Sequence, residues 1–259
     1  MAVLKPFKGF RPPVEHVKEV ASRPYDVLNS KEARAEVEGN PHSFLHVVKP
    51  EVDLQEGIDL HSDEVYDKAR ENINKLIQDG FFVQDDRDLL YVYAQTMSGK
   101  TQYGIVGCSS VDDYMNEVIK KHELTRPDKE EDRMNHIRVT NFNAEPVFFA
   151  YPDHAGIDAI VQRVIREKPV YDFETGDGVG HHFWIMEQQE DIDAVTDFFD
   201  KDIPNTYVAD GHHRTAAAAL VGNERRKNNP DHTGDEEYNY FLSVNFPASQ
   251  LTIIDYNRV

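Results

Sequence analysis

The stretch Tyr207-Val-Ala-Asp-Gly-His-His-Arg-Thr-Ala-Ala-Ala-Ala219 packs an acid, two imidazoles, a guanidinium and a hydroxyl between Asp210 and Thr215. An apolar run ending at Asp210, a glycine and then four alanines predict a strand, a tight turn and a helix. The first N–H groups of such a helix lack partners and carry the positive end of its dipole, so the turn is a natural anion site. Gly211 lets the backbone approach a phosphate closely, and His212, His213, Arg214 and Thr215 add side-chain donors. The Arg214 fork suits phosphate or carboxylate. Asp210 suits orienting Mg²⁺ or taking a hydroxyl proton. The plain alternative makes Asp210 an N-cap and the histidines surface groups. In a third reading Asp210 and one histidine hold a metal. Both imidazoles together do not, since neighbours on a helix diverge by roughly 100°.

A second dense stretch, Lys120-Lys-His-Glu-Leu-Thr-Arg-Pro-Asp-Lys-Glu-Glu-Asp-Arg133, gathers cations in an otherwise acidic chain. Arg126, Lys129 and Arg133 would contribute cations for a phosphate, and Glu123 a carboxylate for proton transfer. His122 and Thr125 are substrate-pocket candidates, with Asp26 from the turn Arg23-Pro-Tyr-Asp26. Lys129 and Arg133, four apart, share a helix face after Pro127. The alternative is a solvated helix laced with salt bridges. His181-His182 reads as structural.

These residues need a frame. Ser30–Glu38 predicts a short helix capped by Ser30, Ser43–Val48 a buried strand, and Ser62 to Gly80 a long amphipathic helix. Leu89–Gln95 and Thr101–Cys108 flank Met97-Ser-Gly-Lys as a hairpin. Ser110–Lys121, Asp128–Asn141, Ile157–Arg166 and Glu187–Asp202 have helical spacing. Pro146–Tyr151, His182–Glu187 and Asn205–Asp210 read as strands. His212–Val221 is a helix stopped by Gly222, Asn223–Glu237 a polar loop, and Tyr238–Phe246 and Gln250–Ile254 strands. The class is α/β, or mixed α+β, without repeats. The 259 residues form one compact unit; any division falls into an N-terminal lobe 1–110 and a site-bearing lobe 111–259.

Composition excludes several classes. With 28 Lys+Arg against 47 Asp+Glu, the net charge of −19 disfavours nucleic acid and anionic membranes as partners. At 39% hydrophobic residues, the chain is too apolar for a disordered acidic tail. No apolar run approaches the roughly 18 residues that span a bilayer, and no secretory leader is visible, so the expected compartment is the cytoplasm. The lone Cys108 reads as a buried strand residue. The expected partner is a small phosphorylated ligand.

The chain resembles the bacterial and archaeal domain-of-unknown-function family 1015. The matching segments are Lys5-Pro-Phe-Lys-Gly-Phe-Arg-Pro-Pro13, Pro24-Tyr-Asp-Val27, Gly39-Asn-Pro-His-Ser-Phe-Leu-His46, His122-Glu-Leu-Thr-Arg126 with Lys129 and Asp132-Arg133, Pro146-Val-Phe-Phe149, Ala209-Asp-Gly-His-His-Arg214 and Phe246-Pro-Ala-Ser249. Members usually continue past this C-terminus, which implies a fragment of a longer protein. The motif at Asp210 is also similar to the phosphate-binding signature of the ParB/sulfiredoxin superfamily, implying a core of that type with additional mixed sheet and helices. Sulfiredoxins need a Cys after the motif glycine, where this chain has His212. Free-serine kinases carry Asp-Gly-His-x-Arg, matched by Asp210, Gly211, His212 and Arg214. That resemblance implies a phosphotransferase acting on a small hydroxylated substrate such as serine, with Mg²⁺ and a nucleotide or pyrophosphate donor. A metal-assisted phosphoesterase and a noncatalytic nucleotide-binding regulator are the alternatives.

Overall fold

A computed structural model describes residues 1–252. The N-terminal part comprises β1 (Leu4–Lys5), β2 (Phe10–Arg11), α1 (Val17–Val20), α2 (Ser30–Val37), α3 (Leu45–Val48), α4 (Asp63–Gln78), β3 (Val83–Gln84), β4 (Leu90–Met97) and β5 (Lys100–Ser110). There follow α5 (Val111–Met115), β6 (Ile119–Lys120), α6 (Pro127–Thr140), β7 (Val147–Tyr151), α7 (Ala155–Val164), β8 (Tyr171–Glu174), β9 (Gly180–Met186), α8 (Gln189–Asp202), β10 (Thr206–Asp210), α9 (His212–Asn228) and β11 (Tyr240–Pro247). The class is mixed α/β. Among the described residues, nine strands form one sheet in the order β6-β10-β7-β11-β5-β4-β9-β8, with β1 also on β5; β2 and β3 pair separately. Strands from both sides of residue 110 share that sheet.

Most pairs are antiparallel; β6–β10 and β7–β11 are parallel. β4 and β5 join through Ser98 and Gly99, both at positive φ, as a tight hairpin requires. α7 and α8 bury Ile157, Ile160, Ile192, Val195 and Phe199 against β4, β5 and β9. Ala218 and Ala219 of α9 and Val111 of α5 meet Phe149, Val208 and Phe241 of the sheet. The alanines let α9 lie close to the strands, and α6 packs between α9 and α4. Cys108 is buried in β5, and burial pushes its thiol up to about 12.

Several expectations change on folding. Asn29, not Ser30, caps α2: it exchanges side-chain and backbone hydrogen bonds with Glu32. Ser43–Val48 holds a short buried helix, not a strand, because six apolar-rich residues carry no decisive period. The helix after Ser110 ends at Met115, Glu117 turns at φ 59, and Ile119–Lys120 becomes a strand. Gly222 does not stop α9, which runs to Asn228. A Cβ there would lie 2.4 Å from the Tyr238 carbonyl oxygen, so its smallness serves a close approach. Ala248–Gln250 is a helical turn, and Ile253 and Ile254 of the expected last strand lie outside the described residues.

Asp113, buried in α5, accepts the Val3 N–H at 2.7 Å. Burial raises its carboxyl from 3.8 to about 6. Across that window the native state retains a proton that the unfolded chain has released, so rising pH costs stability. Asp113→Asn removes that dependence. Its melting temperature relative to wild type is expected to climb as pH rises from about 4 to about 7; a constant difference in thermal denaturation contradicts this.

Candidate functional site

Three strands converge at one end of the sheet. β6 runs parallel to β10, with Ile119 opposite Thr206 and Lys120 opposite Tyr207. The segments following both strands therefore leave the sheet side by side. β7 is antiparallel to β10, with Phe148 opposite Asp210, so Glu145 and Pro146 arrive at the same end. A register shift between Val208 and Asp210 bends the strand there.

Gly211 follows at φ 85 and ψ 36 and starts α9, whose N-terminus has no side-chain cap. Asp210 is thus not an N-cap. Its carboxylate instead accepts from Arg214 Nη2 at 2.8 Å, while Arg214 Nη1 donates to the Pro146 carbonyl at 2.7 Å. The Thr215 hydroxyl is buried and donates to the Gly211 carbonyl at 2.9 Å, so it braces the turn from inside.

Segment 121–126 lies over this turn. His213 Nε2 accepts the Arg126 backbone N–H at 3.1 Å, which places the neutral ring's proton on Nδ1. Glu123 approaches His212 Nδ1 at 3.7 Å, and the His122 ring meets the His212 ring edge-on at 4.4 Å. His212 is 7% exposed, and its Nε2 is buried without a hydrogen-bond partner. Burial, then the neighbouring His122, push its pKa down, which keeps the imidazole neutral at neutral pH. Asp210, Glu123, His122, His212, His213 and Arg126 therefore share one exposed site.

The remaining candidates make other contacts or face solvent. Thr125 donates to Glu130, Lys129 points to solvent on α6, and Asp26 is exposed in a helical turn before α2. Arg133 lines a small cavity with Arg214 and stacks over the Tyr25 ring at 4.2 Å. The arginines expected to meet phosphate already have partners. Arg126 pairs with Asp128 at 2.7 Å, Arg133 with Asp132 at 2.7 Å and Arg214 with Asp210 at 2.8 Å.

Behind Arg214 is a cavity of about 30 Å³, lined by Arg133, His136, Glu145 and Arg214. It holds roughly one or two waters. Glu145 accepts the Tyr25 N–H at 3.1 Å. Burial raises its carboxyl pKa against the opposing pull of Arg214 and Arg133. His136 Nε2–H donates to the Val47 carbonyl at 2.9 Å, and burial lowers this ring's pKa to about 4. Neither residue stood out as a candidate. The one local signal was an acid abutting the proline that opens an apolar strand.

Among the described residues, no cluster of three or more His, Cys, Asp or Glu groups is arranged to hold a metal. What the donors suit is a metal arriving on phosphates, to which Asp210 adds one carboxylate.

A family described as Protein of unknown function (DUF1015) matches residues 4–259. The chain belongs to this family. Comparison with curated proteins and with solved structures returns no match. Among the described residues of this DUF1015 member, no helix is long and apolar enough to cross a membrane.

The turn depends on Gly211. An added Cβ would lie 3.2 Å from the Arg214 guanidinium, at a backbone conformation that L residues rarely adopt. Gly211→Ala is expected to lower stability by about 1–2 kcal/mol, measured by urea denaturation. An unchanged midpoint and slope contradict the strained-turn reading.

Proposed function

We propose that this protein is a small-molecule phosphotransferase, moving a phosphoryl group from a Mg²⁺-complexed nucleotide or pyrophosphate to a small hydroxylated acceptor such as serine. The observation that carries the reading is the uncapped N-terminus of α9, with Glu123 and His212 brought over it beside Asp210. The similarity of the Asp210–Arg214 motif to the ParB/sulfiredoxin superfamily, and to its free-serine kinases, points the same way.

In this reading the N–H groups of His212, His213 and Arg214 hold the donor's phosphates at the positive end of the α9 dipole. Arg214 and Arg126 add donors at the rim, with Lys129 the next cation along α6. The acceptor oxygen attacks phosphorus in line with the leaving oxygen. The new P–O bond forms as the old one breaks, and the hydroxyl proton passes to the protein. Asp210 is held by Arg214, whereas Glu123 faces a neutral imidazole, so Glu123 takes the proton and Asp210 orients the metal-bound phosphate. Because Arg126, Arg133 and Arg214 are each paired with an aspartate, the site offers little net positive charge to a bare polyanion. A metal–phosphate complex suits it better.

Incubation with serine, Mg²⁺ and ATP, ADP or pyrophosphate is expected to yield phosphoserine, read by mass spectrometry. Glu123→Gln should lower turnover by about 10²–10⁴-fold, as loss of a general base does, and Asp210→Ala and Arg214→Ala should abolish it. Phosphate release from phosphoserine with no donor present would establish the phosphoesterase instead. Binding without turnover would establish the regulator.

A further inference from the structure

Glu145 is absent from the reaction described above, yet it stands where the site's arginines meet. It directly precedes Pro146, whose carbonyl accepts from Arg214 Nη1 at 2.7 Å. Its own Oε1 accepts the Tyr25 N–H at 3.1 Å. The Tyr25 ring carries the Arg133 guanidinium at 4.2 Å. Arg133 and Arg214 line the small cavity together with Glu145. Arg214 thus pairs with exposed Asp210 in the site and shares the small cavity with the half-buried Glu145. The Arg214 side chain is only 15% exposed, against 65% for Asp210. The guanidinium is part of the wall, and the aspartate projects from it.

We infer that Glu145 is a positioning residue: its carboxylate anchors Arg214 from the cavity side, and Arg214 in turn fixes the orientation of Asp210. The inference rests on the reading of this turn as a phosphate site, but the anchoring itself requires no ligand. Removing the Glu145 charge has two consequences of opposite sign. The pocket gains net positive charge, which favours anions. Arg214 and Asp210 lose a restraint, which harms a reaction that depends on alignment. A residue that merely maintained packing would weaken binding and turnover together.

The test uses Glu145→Gln, which keeps the volume and the acceptor for the Tyr25 N–H, and Glu145→Asp, which keeps the charge. Without ligand, thermal denaturation of Glu145→Gln, Asp210→Asn and the double variant is expected to show losses smaller than additive, because the Asp210–Arg214 pair acts through an arginine that Glu145 holds in place, so losing Glu145 already forfeits part of that pair. Additive shifts overturn the proposal. With pyrophosphate and Mg²⁺ in calorimetry, Glu145→Gln should bind about three- to tenfold more tightly than wild type, and Glu145→Asp like wild type. In the phosphotransfer assay Glu145→Gln should lose about tenfold or more in kcat, with KM for the donor unchanged or lower. Weaker pyrophosphate binding with raised KM also overturns the proposal. If wild type binds no pyrophosphate while the melting losses remain sub-additive, the phosphate reading fails and the positioning role of Glu145 stands.

Discussion

The site depends on a very short piece of parallel sheet. β6 contributes only Ile119 and Lys120, paired with Thr206 and Tyr207 of β10. Parallel strands end on the same side, so the chain leaving β6 and the chain leaving β10 become neighbours although more than eighty residues separate them. Antiparallel pairing would send segment 121–126 to the opposite end of the sheet, and Glu123 would never meet His212. Ile119 is buried with Val147, Phe149 and Val208, so packing, not the length of the ladder, secures the pairing.

Charge is organised on a finer scale than the net −19 suggests. Around the turn, Asp132 pairs with Arg133 and Asp210 with Arg214, and Glu145 lines one small cavity with both arginines. Each partly buried guanidinium is neutralised before any ligand arrives, as charges taken from water require. The same pairing limits how strongly the site attracts a free polyanion and leaves direction, more than net charge, as its contribution to binding. His212 belongs to the same economy: desolvation favours its neutral form, which leaves a buried nitrogen with no partner at the site.

α6 ties this region to the rest of the molecule. His136 bonds the Val47 carbonyl, Asp132 accepts from Tyr66 at 2.9 Å, and Arg138 pairs with Glu224 of α9 at 2.7 Å. The helix that begins at the site's edge with Arg126 and Pro127 is thus fixed along its length by both neighbours, α4 and α9. The histidine and aspartate side chains doing this are spaced as in any solvated helix, and the acidic, strongly polar composition of α6 conceals how much of it is enclosed.

What the sequence determined by itself was local. Amphipathic spacing set α4, α7 and α8, Ser98-Gly99 set the hairpin, and Asp210-Gly211 before an alanine run set a strand, a left-handed turn and a helix with a bare N-terminus. Each follows from interactions within a few residues. Where tertiary packing outweighed local preference, the sequence misled: Gly222 lies within α9 because Tyr238 crowds it, and Ser43–Val48 holds a short helix whose Leu45, Val47 and Val48 are buried. The partners of the arginines, the gathering of His122, Glu123 and Arg126 over α9, and the place of Glu145 behind Arg214 were decided only in three dimensions. Strand direction and burial create those neighbours across long stretches of chain, and no spacing along the sequence encodes them.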